Sequence, residues 1–202
     1  MEQTDEIPEI KEDVVLMNRN TNRLIALVTQ ILDFRKVESK SFSLDFVKVN
    51  VKELLKDSFT NFKLLTQKRK LEYTIICPLN DIYAFADEEA LNKIFSNLLN
   101  NAVKFASKKV EVRMCENSKN ATHLTIEFEN DGLKIPLQKK EKIFEPFYRL
   151  KESKQEGTGI GLSLARSLTE LLSGELYLKD TSDDSIVFVL ILPIISIKEN
   201  TE

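Results

Sequence analysis

The sequence predicts an α/β fold of the two-layer α+β kind: a mixed sheet with helices on one face, preceded by one long helix. Three observations carry that prediction. Segments with strand-like alternation come in runs, with helix-like segments set apart, which favours a mixed sheet over a doubly wound parallel one. Residues 87–107, DEEALNKIFSNLLNNAVKFAS, read as one amphipathic helix. Residues 11–36 place apolar side chains at the spacings of a bundle helix. The chain therefore divides into a helical arm, residues 1–40, and a domain, residues 41–202.

Composition supports this and narrows the function classes. The 202 residues are 42% hydrophobic, enough for a real core, and 30% charged. A net charge of −3 without a dense Lys/Arg run argues against a nucleic-acid partner. Cys77 and Cys115 lack metal-type spacing, so a reduced compartment is expected. No signal peptide is visible, and no apolar run reaches about 18 residues, so this stretch is expected to make no membrane contact.

In chain order, residues 1–10 are acidic and expected to fray. In the arm, Met17, Thr21, Leu24, Leu27, Ile31 and Phe34 form a seam that Ile25, Val28 and Leu32 widen. That width suits a bundle helix with two contact faces; the other reading is a helix docked on its own domain. KVESKSF breaks the arm into a connector. SLDFVKVNV alternates like a strand, and Asn50 is placed to cap a helix over residues 51–69. LEYTIIC and DIYAFAD read as strands, and Asp87 as the N-cap of the helix that follows. Residues 109–115 and 123–129 form a strand pair joined by the polar turn ENSKNA. Residues 130–156 lack regular structure apart from a turn near residues 138–143, and so long a connection suggests a lid or binding loop. A helix over residues 159–173 ends at Gly174, read as its C-terminal cap. Strands 175–179 and 185–192 and a solvated tail, IKENTE, complete the chain.

Two features point to a ligand. On helix 87–107 the residues Ile94, Phe95, Leu98, Ala102 and Phe105 share one face, and Asn97, Asn100, Asn101 and Lys104 share the opposite one. Asn is a poor interior helix former, because its amide competes for backbone hydrogen bonds. A face of Asn with one Lys therefore suggests neutral oxygen ligands and a cation facing a phosphate chain and its magnesium ion. The second feature is glycine placement: of the five glycines, four fall in two short patches, Gly132 in ENDGLKIP and Gly157, Gly159 and Gly161 in EGTGIGLS. The latter runs straight into a helix, so its amides would face an anion at a helix N-terminus. It is no P-loop, since no Gly-Lys-Ser/Thr follows. The NDG patch suits reading the edge of a flat base.

Taken in order, NLLNNAVKF, NDGLKIP, IFEPFYRL and GTGIGLSLA resemble the N box, first glycine box, F box and second glycine box of the ATP-binding domain of sensor histidine kinases. The resemblance covers about residues 45–195. The arm resembles the second helix of the family's dimerisation and phosphoacceptor hairpin, and ILDFRKVES a segment common in hybrid two-component sensors. The resemblance implies a GHKL-type sandwich of a mixed sheet, three helices and a mobile lid over ATP. It makes Asn101 the magnesium ligand, with Asn97 in support, and sets Lys104 on a phosphate and Phe105 near the adenine. Gly157, Thr158, Gly159, Ile160, Gly161 and Leu162 would supply the lid hinge and phosphate contacts, and Phe144 and Phe147 would anchor the lid.

Two departures from the family pattern stand out. Its adenine-reading Asp position holds Asn130, with Asp131 next to it and Gly132 after; either Asn130 or Asp131 could read the base. Its second glycine is Lys134. The phosphoacceptor histidine is expected on a helix upstream of the arm, and His123, the one histidine here, at a strand start in a structural or surface role. The implied whole enzyme transfers the ATP γ-phosphoryl group to a histidine for relay to an aspartate on a response regulator receiver domain. It would be a homodimer through the arm, with this region cytoplasmic and the parent anchored in the inner membrane. A degenerate ATP-binding or interaction module is the alternative. Another GHKL-fold ATPase or serine kinase fits less well, because those lack a hairpin remnant.

Overall fold

The computed structural model describes residues 6–39, 43–115, 122–150, 157–181 and 185–194. The turn ENSKNA, residues 151–156 of the long connection, the first five residues and the tail IKENTE lie outside these, as does part of the connector after the arm.

The arm is one helix, α1 (Glu6–Glu38). A short strand, β1 (Val47–Asn50), leads into α2 (Val51–Asn61), and the Asn50 side chain caps that helix by accepting from the Glu53 amide. The single helix predicted over residues 51–69 is two: after α2, Phe62 steps out with φ −91° and ψ −5°, and α3 (Lys63–Lys68) follows. Strands β2 (Glu72–Ile76) and β3 (Tyr83–Ala86) precede the Asn-bearing helix, α4 (Glu88–Phe105). Asp87 caps α4 as predicted. One carboxylate oxygen accepts from the Ala90 amide at 2.8 Å, and the other accepts from the Asp45 amide at 2.8 Å, tying the helix start to the chain entering β1. Strands β4 (Lys109–Cys115) and β5 (His123–Asn130) follow, then two short 3₁₀ turns, Leu137–Lys139 and Lys142–Phe144. Helix α5 (Gly161–Leu171), β6 (Glu175–Leu178) and β7 (Ile186–Pro193) close the described fold.

Five strands form a mixed sheet in the order β2-β4-β5-β7-β6, parallel between β2 and β4 and antiparallel elsewhere; β1 and β3 pair separately. One face of the sheet carries Val112, Met114, Leu124, Ile126, Phe128, Phe188 and Leu190, all buried with the helices that cover it. Helix α4 contributes Leu91, Ile94, Phe95, Leu98 and Leu99, each fully buried, and α5 contributes Leu164, Ala165 and Leu168. Burying a side chain of this size is worth roughly 1.5–3 kcal/mol, so this layer dominates stability. The opposite face carries ion pairs: Lys109 and Arg113 flank Glu111 along β4, and Glu127 of β5 meets Arg113 of β4 and Lys179 just past β6.

At the end of α5 the cap differs from the predicted one. Ser173, with φ 59°, takes the left-handed position, and Gly174 serves close approach: a Cβ there would lie 2.4 Å from the Ile191 carbonyl oxygen on β7. Two chain segments cross too tightly for a side chain, which helix-end chemistry alone does not reveal.

The arm docks by its C-terminal half. Val37 is buried, Phe34 packs against the core, and Lys93 of α4 bridges Asp33 at 3.0 Å and Glu89 at 2.9 Å. Burial lowers the Lys93 pKa, but Glu89 and Asp33 together more than offset it and hold the ammonium above its ordinary range. A second face of the same helix, with Val14, Met17, Leu24, Ile25, Val28, Ile31 and Leu32, is exposed.

Candidate functional site

A cavity of about 680 Å³ opens between α4, the segment after β5, the start of α5 and the inner face of the arm. Its two ends differ in chemistry. One is polar: Asn97, Asn100, Asn101 and Lys104 project into it from α4, facing Gly157, Thr158, Gly159 and Gly161. The helix repeat puts these four α4 residues on one side because Leu91, Ile94, Leu98 and Ala102 hold the other side in the core. Asn97 donates to the Lys93 carbonyl at 2.8 Å, and its Oδ1 faces Gly161, where a Cβ would lie 2.7 Å away. Gly157 lies against Lys104 Nζ, 2.4 Å from where its Cβ would stand.

The other end is apolar, walled by Leu133, Ile135, Ile143, Ile186 and Phe188, with Phe105 between the two. Phe105 therefore leaves the core face to which helical spacing assigns it and lines the cavity instead. Asn130 is the polar group at this end. It closes β5, paired with Val110 on β4 and Ile186 on β7, and is 2% exposed. Its Oδ1 accepts from the Gly132 amide at 3.0 Å, and an amide oxygen has a second lone pair.

Asp131 turns the other way. Its carboxylate accepts from the amides of Ser107, Lys108 and Lys109 at 2.9–3.0 Å, and it does not line the cavity. Burial pushes its pKa up, but those amide donors outweigh it and hold the acid below its ordinary value. Gly132 and Ile160 are likewise outside the lining, Ile160 being a core residue that precedes α5. Lys134 is exposed and away from the cavity.

The second glycine patch forms a tight turn. Gly159 has φ 75°, and a Cβ there would fall 2.7 Å from the Phe147 backbone. Phe147 itself has φ 64° and donates its amide to the Gly159 carbonyl at 3.0 Å. Its side chain is exposed, so Phe147 holds the segment by backbone, not by its ring. Phe144 is buried edge-on against Phe188, with Arg166 of α5 stacked 4.5 Å above its ring. Leu162 lines the cavity from the first turn of α5.

Sequence reasoning misses three contributions. Ala26, Leu27 and Gln30 bring the arm into the cavity wall, and the Thr158 hydroxyl donates to Gln30 Oε1 at 3.1 Å while accepting from the Ile160 amide at 3.2 Å. Tyr148 and Arg149 also line it; FYRL carries that signal in a segment that invites attention only to its phenylalanines. Arg69 is the third, bonded to carbonyls at the end of α4.

Among the described residues, no group of three or more His, Cys, Asp or Glu is placed to hold a metal ion. The polar end offers neutral amide oxygens and one ammonium, a donor set that suits a phosphate chain carrying its own cation. His123 is exposed at the start of β5, its Nδ1 2.8 Å from the Thr122 hydroxyl.

A family model described as histidine kinase-, DNA gyrase B- and HSP90-like ATPase matches residues 86–195, which spans α4, the glycine turns and α5. The chain belongs to this ATPase family. It therefore carries an ATP-binding domain of the GHKL fold, and its relatives are sensor kinases. A histidine kinase designated P4 from Formosa agariphila is 25% identical over 194 residues, 92% of this chain but 14% of the relative. The sensor histidine kinase YcbM of Bacillus subtilis is 27% identical over 181 residues, 87% of this chain and 57% of that protein. Full-length ShkA in complex with AMPPNP shares the fold at a TM-score of 0.78 and 21% identity, covering 92% of this chain and 39% of ShkA. The chain thus spans from about a seventh to rather more than half of these proteins' lengths. No helix among its described residues is long and apolar enough to cross a membrane.

Proposed function

We propose that this chain is the catalytic region of a sensor histidine kinase: it binds Mg-ATP and, in the whole protein, passes the γ-phosphoryl group to a histidine and from there to an aspartate on a response regulator receiver domain. The observation that carries the reading is the division of one cavity into an apolar end with a buried Asn130 and a polar end of Asn, Lys and glycine amides. Adenine fits the first and the phosphates the second. The Asn130 carbonyl accepts from the adenine amino group, taking the place of the family's Asp, while Asp131 is committed to backbone amides.

Asn101 would hold Mg²⁺ through its amide oxygen, with Asn97 in support beside it. When bound, the ion would supply positive charge that offsets the charge of the phosphates. Lys104 meets a phosphate oxygen from α4. The amides of Gly159, Gly161 and Leu162 face the phosphates at the start of α5, where the helix dipole adds to them. Arg149 lines the same cavity and would offer a second cation for the phosphates. The chain's work is positioning and electrostatic stabilisation, with no covalent intermediate of its own. The arm is read as the second helix of a dimerisation hairpin, the partner a second copy, and the location cytoplasmic beneath a membrane-anchored sensor.

Incubation with γ-labelled ATP tests the reading. In-line transfer needs the acceptor nitrogen within about 3–3.5 Å of the phosphorus. His123 is fixed in strand register opposite Pro193 and would have to leave the sheet to reach it. The chain should bind ATP yet not label itself, and should label a supplied histidine-bearing helix that pairs with its arm. Acid-labile label on this chain alone, lost in His123→Ala, would overturn the assignment. ATP binding without transfer to any supplied acceptor would favour the non-catalytic binding module.

A further inference from the structure

Beyond α4 the chain makes an abrupt exit. Ala106 turns to φ −56° and ψ 142°, and within three residues the backbone enters β4. A helix end leaves its last carbonyls without intrahelical donors, and here two side chains from elsewhere in the sequence meet the exposed backbone groups. Arg69, at the end of α3, donates from Nη1 to the Val103 carbonyl and, at 3.1 Å, to the Lys104 carbonyl, and from Nη2 to the Ala106 carbonyl at 2.9 Å. Asp131 takes the next three amides, Ser107, Lys108 and Lys109. A cation thus holds the carbonyl side and an anion the amide side of one short turn. Charge-assisted hydrogen bonds of this kind are roughly twice as strong as neutral ones.

The middle of that turn, Phe105, Ala106 and Ser107, lines the cavity at the end where Asn130 stands, whereas neither Arg69 nor Asp131 lines it. Asp131 is also the chain neighbour of Asn130, so the carboxylate that grips the turn fixes the distance between the turn and Asn130. We propose that Arg69 and Asp131 are positioning residues that set the base selectivity of the cavity, holding the turn at residues 105–107 at the depth a planar purine needs opposite Asn130. This rests on reading the apolar end as the base site. Misplacement of a contact surface by about 1 Å can cost on the order of 100-fold in function, so a turn gripped from both sides is a means of discrimination as well as of stability.

The test measures binding of ADP, GDP and inorganic tripolyphosphate to the whole chain, alongside thermal unfolding, for the unaltered protein, Arg69→Met, Arg69→Lys and Asp131→Asn. The unaltered chain should prefer ADP to GDP. Arg69→Met and Asp131→Asn should each reduce that preference about tenfold, with tripolyphosphate affinity changing much less, because Arg69 meets Lys104 at its backbone carbonyl and Asp131 binds the amides of Ser107, Lys108 and Lys109. Arg69→Lys, which keeps the charge and part of the donor set, should fall between, and it decides the case if Arg69→Met does not fold. Variants that melt earlier but keep the ADP/GDP ratio would make the pair structural only and overturn the proposal. So would loss of the ratio in Asp131→Asn alone, which would make Asp131 a direct reader of the base. Absence of all nucleotide binding in the unaltered chain would instead overturn the ATP reading itself, and with it this proposal.

Discussion

Asn101 projects from α4 toward the cavity while Ala102, its neighbour, is fully buried, so adjacent positions on one helix face cavity and core separately. Asn101→Ala should accordingly leave stability within about 0.5 kcal/mol, the usual range for a change away from the core. It should weaken Mg²⁺-dependent nucleotide binding by about 10–100-fold, the range seen when groups around a metal are lost. Titration with and without Mg²⁺ reads this directly, and equal affinity in both proteins would remove Asn101 from the metal site. Asp131 makes a different prediction, about pH. Its folded pKa lies below the ordinary carboxylate value, since amide donors more than offset the effect of burial. The charged form therefore stabilises the fold fully above the unfolded pKa of about 3.9 and ceases to do so as pH falls through the lower folded value. Thermal melts of the chain and of Asp131→Asn should differ most near neutrality and converge in acid. A gap that widens on acidification would refute the amide-clamp account.

Among the elements, α1 and the segment after β5 behave least like their sequences viewed alone. The heptad-like stripe of the arm is wide because it serves two faces. Leu27, Gln30, Phe34 and Val37 turn toward the domain, and Leu24, Val28, Ile31 and Leu32 turn away from it. Beyond the clamped Asp131, the lid segment up to residue 150 buries only Ile143 and Phe144, and it is otherwise tied by Glu141 to Arg166, Lys140 to Asp180 and the Phe147 amide to the Gly159 carbonyl. Leu133, Leu137 and Phe147 are exposed along it. Few buried contacts mean a low local opening free energy. Amide hydrogen exchange over residues 133–150 should therefore be fast in the free chain and slow markedly on addition of ATP. Unchanged exchange alongside demonstrated binding would deny this segment a lid role.

At the scale of the molecule, the arm is both a wall of the cavity and an exposed apolar surface. Apolar side chains from Val14 to Leu32 are exposed over several turns, and exposed apolar surface of that kind favours association. The full chain should self-associate, and a version beginning at Ser39 should sediment as a monomer at the same concentration. Two monomers would mean that docking on the domain is the arm's whole role. The same truncation removes Gln30 from Thr158, so it should also change the affinity for ATP. If dimerisation is lost and affinity is untouched, the arm and the glycine turn are independent.

Much of this was fixed by local sequence. Asp87 and Asn50 cap their helices because a short polar side chain at that position satisfies a free amide wherever it occurs. The Asn row on α4 falls on one side because helical spacing requires it, and the four ordered motifs place the ATP-binding family before any coordinate is known. Tertiary structure decided what depends on segments far apart in the chain. Asn130 and Asp131 are adjacent and both can accept hydrogen bonds, so only the direction each takes on leaving β5 separates a cavity residue from a backbone clamp. Arg69 looks like one of several basic residues in QKRK until α4 ends beside it. Gly174 looks like a helix cap until β7 passes within reach of its missing side chain. Gln30 meets Thr158 across 128 positions of chain. Caps and periodicity are carried by neighbours within a turn, whereas these contacts arise only once the core has brought distant segments together.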